Sequence, residues 1–302
     1  MKKYAKIKFF TFGITFSLFF IFFPILFIMF LQELPSPNQL AAKDAPQTTR
    51  ILDRNGIVLG EIYGNYNRTL ISLSDVPMHL QQATIAIEDK NFYIHPGFDV
   101  PSMVRALKKN LSGKTIQGGS TITQQLIKSS LLTPEQSISR KIKEVTLAFW
   151  SERMYSKKQI LEMYFNQVPY GGMAWGIEAA SETYFNKPVQ KLSLAESAFL
   201  AGLTTAPSIY SPYGTHPGAW KKRQKEVIDH MVELKYISQK EADKALKEKL
   251  FFNMKPRAAH APHFVNYITD LLIEKYGITM VEKGGLQVKT TLDLKIQDMA
   301  EK

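Results

Sequence analysis

Ala86-Ile87-Glu88-Asp89-Lys90-Asn91-Phe92-Tyr93-Ile94-His95-Pro96-Gly97 is the stretch on which the fold turns. An apolar run ends in two adjacent carboxylates, and a proline and a glycine close the segment. The spacing predicts a helix over 81–92 and a break at Gly97. Glu88 falls near the end of that helix, after apolar residues. A carboxylate among apolar side chains has its charged form disfavoured, as a proton-transfer group requires. A solvated surface pair fits the same two letters, so the neighbouring blocks must decide.

Gln117-Gly118-Gly119-Ser120-Thr121-Ile122-Thr123-Gln124-Gln125-Leu126-Ile127-Lys128 runs two glycines into a hydroxyl-rich helix start. Free backbone N–H groups and the positive helix end favour an anion there. Gln125 and Lys128 lie one helical face further along. A capped helix without a ligand accounts for the same residues. Arg140-Lys141-Ile142-Lys143-Glu144 places Arg140 and Glu144 four apart on a shared face. That is either an exposed ion pair or a second carboxylate inside a cationic cluster. The cluster suits a phosphate leaving group and a divalent ion. Glu162 sits on the otherwise apolar helix of 157–166 and reads as structural, bonded to backbone or to an arginine.

The helical pattern runs from about Leu80 to about Leu250. Helices are predicted over 81–92, 101–112, 120–131, 135–154, 157–166, 173–184, 193–203, 217–235 and 239–249. Ser193 followed by Glu196 has the form of a capping box. Before this region, Ile51, Leu52 and Val58, Leu59 flank Asn55-Gly56, a tight-turn pair, so a short β element is expected.

In this order and spacing the blocks resemble glycosyltransferase family 51. These are the peptidoglycan glycosyltransferase domains of class A penicillin-binding proteins and of monofunctional transglycosylases. Gly176-Ile177-Glu178-Ala179-Ala180, Tyr184-Phe185-Asn186-Lys187, Leu194-Ala195-Glu196 and Ala206-Pro207-Ser208 extend the match, which spans roughly residues 50–240. Ser129 stands where the family often has asparagine, and Asn186 where glycine is common. Neither change removes a catalytic group.

The resemblance implies a mainly α, lysozyme-like fold with a membrane-associated small lobe. It implies polymerisation of lipid II into β-1,4 glycan strands, with inversion and release of polyprenyl pyrophosphate. On the matching positions, Glu88 is the general base and Asp89 supports the acceptor site; Phe92 and His95 match the rest of that substrate-binding motif, with His95 supporting the architecture of the site. Glu144 is the second carboxylate, helping the pyrophosphate leave either through a magnesium-like ion or by orienting cations. Ser120, Thr121, Gln125, Lys128, Arg140 and Lys141 fall on donor-site positions. In the lobe expected at the membrane, Val100, Met103, Val104, Leu107 and Leu111 alternate with Arg105, Lys108 and Lys109, as in an interfacial helix.

The two ends of the chain bound where this happens. Residues 9–31 carry no charge and are rich in phenylalanine and isoleucine. About 20 apolar residues span a bilayer as a helix, and Pro24 is tolerated in such a span. Lys2, Lys3, Lys6 and Lys8 precede it, so residues 1–8 are expected in the cytoplasm and the remainder outside. An uncleaved single-pass anchor in a bacterial cytoplasmic membrane follows, since a signal peptide's apolar core is only about 7–15 residues. Residues 32–49, with three prolines, read as a linker.

The chain has no cysteine, which excludes thiol catalysis, disulfides and a lipoprotein anchor. Its net charge of +11 suits anionic headgroups or a phosphate-bearing substrate. Nucleic acid is excluded as partner by the expected topology. Lipid II, the lipid-linked glycan chain, the bilayer and other wall-synthesis proteins are the expected partners.

The glycosyltransferase domain is placed at 50–250. Residues 284–293 alternate like a strand, and the segment 285–298 resembles the linker that leads into the transpeptidase domain of class A penicillin-binding proteins; the resemblance implies that 251–302 are a linker and the start of a truncated transpeptidase region. No Ser-x-x-Lys occurs, and Lys289-Thr290-Thr291 is not Lys-Thr-Gly. Two rival functions remain: a lysozyme-like lytic transglycosylase, and a non-catalytic scaffold of wall synthesis. The first needs no pyrophosphate site, and the second has no need of both Glu88 and Glu144.

Overall fold

The structure, a computed structural model, describes residues 2–41, 47–64, 67–111, 119–133, 137–172, 174–213, 216, 218–253 and 260–300. It divides into two compact units, residues 1–39 and residues 40–302.

The first unit is one helical rod. α1 (Lys2–Ser17) and α2 (Phe23–Gln32) are joined by a π-helical turn, Leu18–Phe22. Phe23 N–H there reaches back five residues to Leu18 O. The cause is Pro24, which has no N–H and crowds the carbonyl four residues earlier. The expected anchor at 9–31 lies inside the rod. Phe10–Leu40 is long and apolar enough to cross a membrane by length and composition, and none of its most apolar window is buried.

The second unit opens with a hairpin, β1 (Thr49–Leu52) and β2 (Val58–Ile62), antiparallel. Its loop is longer than a two-residue turn. Asp53 Oδ1 accepts from the N–H groups of Asn55 at 2.7 Å and Ile57 at 2.8 Å, and Gly56 takes φ +87°. The helical body follows: α3 (Met78–Glu88), α4 (Val100–Leu111), α5 (Ile122–Ser130), α6 (Ile138–Met154) and α7 (Lys157–Gln167). A two-stranded ribbon, β3 (Pro169–Gly171) and β4 (Ala174–Trp175), leads into α8 (Ile177–Phe185). α9 (Leu194–Leu203), α10 (Pro207–Tyr210), α11 (Ala219–Glu233) and α12 (Gln239–Lys247) complete it.

Two packed groups of helices position the site. α3, α9 and α11 meet through Ala83, Ala86, Ala195, Ala198 and Ala201 against Val227, Ile228 and Met231. Small side chains at the crossing let the axes approach closely. α5 packs on α6 and α7, burying Ile122, Leu126, Leu147, Ile160, Leu161 and Phe165. Thr121, Ser156, Ser193 and Ser238 each close a capping box, so the starts of α5, α7, α9 and α12 are fixed by local sequence.

The C-terminal residues return to the hairpin. α13 (Pro262–Tyr276), α14 (Ile278–Lys283), β5 (Gln287–Lys289) and α15 (Leu294–Ala300) follow one another. β5 pairs parallel to β1, giving the sheet order β2-β1-β5. Ile51, Leu59, Val265 and Leu294 form a small core beneath it. The hairpin near residue 50 and the strand near residue 288, read separately in sequence, are one β element.

Asn186 takes φ +52° at the C-cap of α8. The left-handed conformation explains why asparagine replaces glycine there, since its short polar side chain tolerates it. Asn186→Ala is expected to cost about 1 kcal/mol and Asn186→Gly to be neutral, read as urea midpoints.

Candidate active site

Glu88 is the last residue of α3 and is half-buried. Its surroundings are polar, which differs from the apolar pocket expected from sequence. Gln125 Nε2 donates to its Oε2 at 2.5 Å. Thr204 Oγ1 donates to Oε1, and Thr205 Oγ1 does so at 3.0 Å. The reason is tertiary: α3 ends where the first turns of α5 and the segment after α9 converge. Gln125, placed with the donor-site residues on sequence, is therefore a partner of Glu88. Its amide orientation is set by Tyr164, whose hydroxyl donates to Gln125 Oε1 at 3.3 Å. Tyr164 and Tyr170 are fully buried, and burial first, then the Glu88 charge, pushes both phenols above their ordinary range. Both therefore stay protonated; Tyr164 donates to Gln125, and the Tyr170 hydroxyl is buried with no hydrogen-bond partner among the described residues.

Asp89 caps α3 and turns inward, 7% exposed. It accepts from His95 Nε2 at 2.9 Å and from the Ile122 N–H at 3.0 Å. His95 Nδ1 accepts from the Gly97 N–H at 3.1 Å, so the ring proton sits on Nε2. Thr121 Oγ1 donates to Gly97 O at 2.6 Å and receives the Gln124 N–H within the capping box. The start of α5 was expected to take an external anion. Instead it receives the protein's own Asp89 carboxylate, which satisfies a free N–H of the helix end and its dipole.

Phe92 is completely buried, so it packs and does not touch a ligand. Lys157 Nζ lies 4.6 Å from the centre of its ring, donates to His95 O at 2.7 Å and pairs with Glu152 at 2.8 Å. Thr123 Oγ1 donates to the same Glu152 at 2.5 Å. The loop 89–97 is thus clamped between α5, α6 and α7.

Glu144 is 2% exposed. The pairing with Arg140 expected from the four-residue spacing does not form. Lys141 binds Glu144 and also donates to Ser120 Oγ at 2.8 Å. Arg140 Nε and Nη1 are buried with no hydrogen-bond partner among the described residues. A desolvated guanidinium left this way is disfavoured unless an anion completes it. Lys128 is exposed and makes no ion pair among the described residues.

A cleft of roughly 150 Å³ is lined by Glu88, Asp89, Arg105, Ser120, Thr121 and His230, among others. Through Ser120 and Lys141 it connects to Glu144; Lys128 is not on its wall. Asp99, also on the wall, is held below the usual carboxylate range. Burial opposes its charge, but hydrogen bonds from Ser102 and Asn91 outweigh that. Gly119 is required by close approach, since a Cβ there would sit 2.8 Å from Ala106 Cβ of α4. Gln117 and Gly118 lie outside the described residues, as do the side chains of Leu107, Lys108, Lys109 and Leu111. On the same α4, Val100 and Val104 are exposed.

The divalent ion expected at Glu144 does not fit this arrangement. The carboxylate is taken by an ammonium group, and among the described residues no three His, Cys, Asp or Glu side chains are grouped to hold a metal. Magnesium entering this site would have to come with a substrate's own phosphates.

Several contributors were not singled out from sequence: Thr204 and Thr205, Tyr164, Glu152, Lys157 and Arg223. Only Tyr164 carried a signal, a hydroxyl on an otherwise buried helical face. Glu162 behaves as read: its Oε2 accepts from the Leu73 N–H at 2.8 Å.

A transglycosylase family model matches residues 55–232. Penicillin-binding protein 1A of Aquifex aeolicus is 39% identical over 272 residues, 90% of this chain and 37% of its own length. Penicillin-binding protein 1F of Bacillus subtilis is 42% identical over 260 residues, 84% of this chain and 36% of its own. The chain thus spans a little over a third of the length of these curated relatives. The crystal structure of penicillin-binding protein 1A from Haemophilus influenzae aligns over 85% of this chain and 28% of that one, at 24% identity and a TM-score of 0.45. With the family match covering more than half of its residues, this chain belongs to the transglycosylase family.

Proposed function

We propose that the chain is a peptidoglycan glycosyltransferase that polymerises lipid II on the outer face of a bacterial cytoplasmic membrane. The observation that supports this best is the placing of Glu88. Glu88 lines a cleft that Ser120 also lines, and Ser120 accepts from Lys141, which is paired with Glu144. Proton acceptor and cationic cluster are thereby joined across one cavity.

In the proposed reaction the acceptor's sugar hydroxyl attacks the anomeric carbon of the lipid-linked donor. Glu88 takes the hydroxyl proton as the new C–O bond forms. The bond from the anomeric carbon to the pyrophosphate oxygen breaks, and the lipid pyrophosphate leaves with the electron pair. Arg140, with its unsatisfied guanidinium, and Lys128 oppose the charge that gathers on the leaving group. Lys141 keeps Glu144 paired meanwhile. The rod at residues 2–32 holds the domain at the bilayer, lysines inside, and wall-synthesis proteins are candidate partners.

The purified chain in detergent should extend lipid II into long glycan strands and leave finished glycan uncut. Cutting of finished glycan without consumption of lipid II would favour the lytic reading, and neither activity would favour the scaffold. Running the assay with magnesium and with a chelator decides whether a substrate-borne ion contributes. Lys128→Ala should weaken a pyrophosphate-containing donor analogue by about tenfold, the worth of one charge-assisted contact. Unchanged binding in a titration would remove Lys128 from the donor site.

A further inference from the structure

Glu88 is held from a direction that the catalytic sequence blocks do not supply. Thr204 and Thr205, in the turn after α9, both donate to Oε1, while Gln125 donates to Oε2. An ionised carboxylate offers about four lone-pair sites. Two donors fill Oε1 and one takes half of Oε2, so a single acceptor position is left, on Oε2.

The threonines are themselves ordered from α11. Arg223 Nη2 donates to Thr205 Oγ1 at 2.6 Å, and its Nε donates to Gly202 O at 3.4 Å. The guanidinium lies 5.7 Å over the Tyr210 ring. Because Thr205 Oγ1 accepts from Arg223, its own proton is committed to Glu88. Thr204 shares its proton between Glu88 and the Ala201 carbonyl, 3.1 Å away. The chain of contacts from Arg223 through Thr205 to Glu88 therefore has one direction of donation throughout.

We propose that Thr204 and Thr205, ordered by Arg223, are positioning residues that leave one lone pair of Glu88 Oε2 aimed at the hydroxyl to be deprotonated. This rests on the reading of Glu88 as the base. Removing the hydroxyls at constant shape frees the carboxylate to rotate, and displacement of a reacting group by about 1 Å can cost on the order of 100-fold in rate. Substrate affinity does not depend on that rotation, so the loss falls on kcat.

The test compares the full chain with a Thr204→Val/Thr205→Val double variant, the corresponding double serine variant, and Glu88→Gln. For each, kcat and KM for lipid II polymerisation and the thermal midpoint are measured. The double valine variant should lose about 10- to 100-fold in kcat, with KM within about twofold and a near-native midpoint. Serine at both positions should restore most of the rate. A double valine variant with native kcat beside an inactive Glu88→Gln overturns the positioning role and leaves the base assignment standing. A loss that serine does not restore also overturns it, since packing and not the hydroxyls is then responsible. Native activity in Glu88→Gln overturns the base assignment and this inference with it. If the double valine variant does not fold, Arg223→Met carries the test: a threefold or greater fall in kcat supports the inference, and an unchanged kcat overturns it.

Discussion

Glu88→Gln is expected to lower the rate of lipid II polymerisation by about 1,000-fold or more, with the fold intact. General-base catalysis contributes roughly 100- to 10,000-fold, and an amide cannot take the proton. The site can still accommodate glutamine. Its side-chain oxygen can receive the Thr204 and Thr205 hydroxyls in place of Oε1. The conflict falls on Gln125, whose Nε2 would then face a second amide nitrogen. Rotating the Gln125 amide end over end turns its oxygen toward position 88 and its nitrogen toward Tyr164. The Tyr164 hydroxyl, now donating to Gln125, can turn to accept. The rearrangement costs at most the present acceptor of the buried Tyr164 proton, about 1–3 kcal/mol, so the thermal midpoint should fall by several degrees while the fold stays intact. Native product length and rate in this variant would remove Glu88 from the reaction.

That argument uses contacts of two kinds, and only one was legible in the sequence. Helix starts were readable because caps are local: Ser156 with Gln159 and Ser193 with Glu196 carry their signal within four residues. The ends of α5, α6 and α9, each started by a side-chain cap, fall within three residues of expectation for the same reason. The helix expected over 81–92 stops at Glu88, four residues early. There Asp89 swings in to His95 and the Ile122 N–H, and no local propensity records that competition. The pairing of Glu144 with Lys141 in place of Arg140 has the same origin. Positions three and four apart both share a face, and Ser120, 21 residues upstream of Lys141, fixes that lysine.

Contacts between distant segments left no trace of their own. Thr204 and Thr205 look like an ordinary turn after a helix, and only the fold brings them to Glu88, more than a hundred residues earlier. β5 could be read as a strand but not as a partner of β1, because register across more than 230 residues has no sequence period. Where sequence blocks did identify the site, they gave residue types and order. What those types do was set by burial: Phe92 and Thr121 face inward and brace the cleft.

Gly97→Ala should be the most damaging single change in that bracing, although it adds one methyl group. Gly97 has φ +95°, a region that costs an alanine about 1–2 kcal/mol. The added Cβ would also lie 2.7 Å from Ala148 O and 2.8 Å from Ala148 C, both backbone atoms of α6 that cannot swing aside. The loop must therefore move. Its N–H holds His95 Nδ1, and its carbonyl receives Thr121 Oγ1. Displacing it loosens the grip of His95 on Asp89, and with it the link from α3 to the first turn of α5. Strain and lost bonds together should cost about 3 kcal/mol or more, lowering the thermal midpoint by roughly 6–12 °C for a domain of this size. The rate of polymerisation should fall about 100-fold even below the new midpoint, since Glu88 and Gln125 sit on the two helices this loop ties together. Gly56→Ala separates backbone preference from contact. Gly56 has φ +87° with nothing within 4 Å of its added Cβ, so only the conformational cost of about 1–2 kcal/mol applies. Equal midpoints for the two variants would show that the α6 backbone yields to the methyl group, and that the loop is not braced as described.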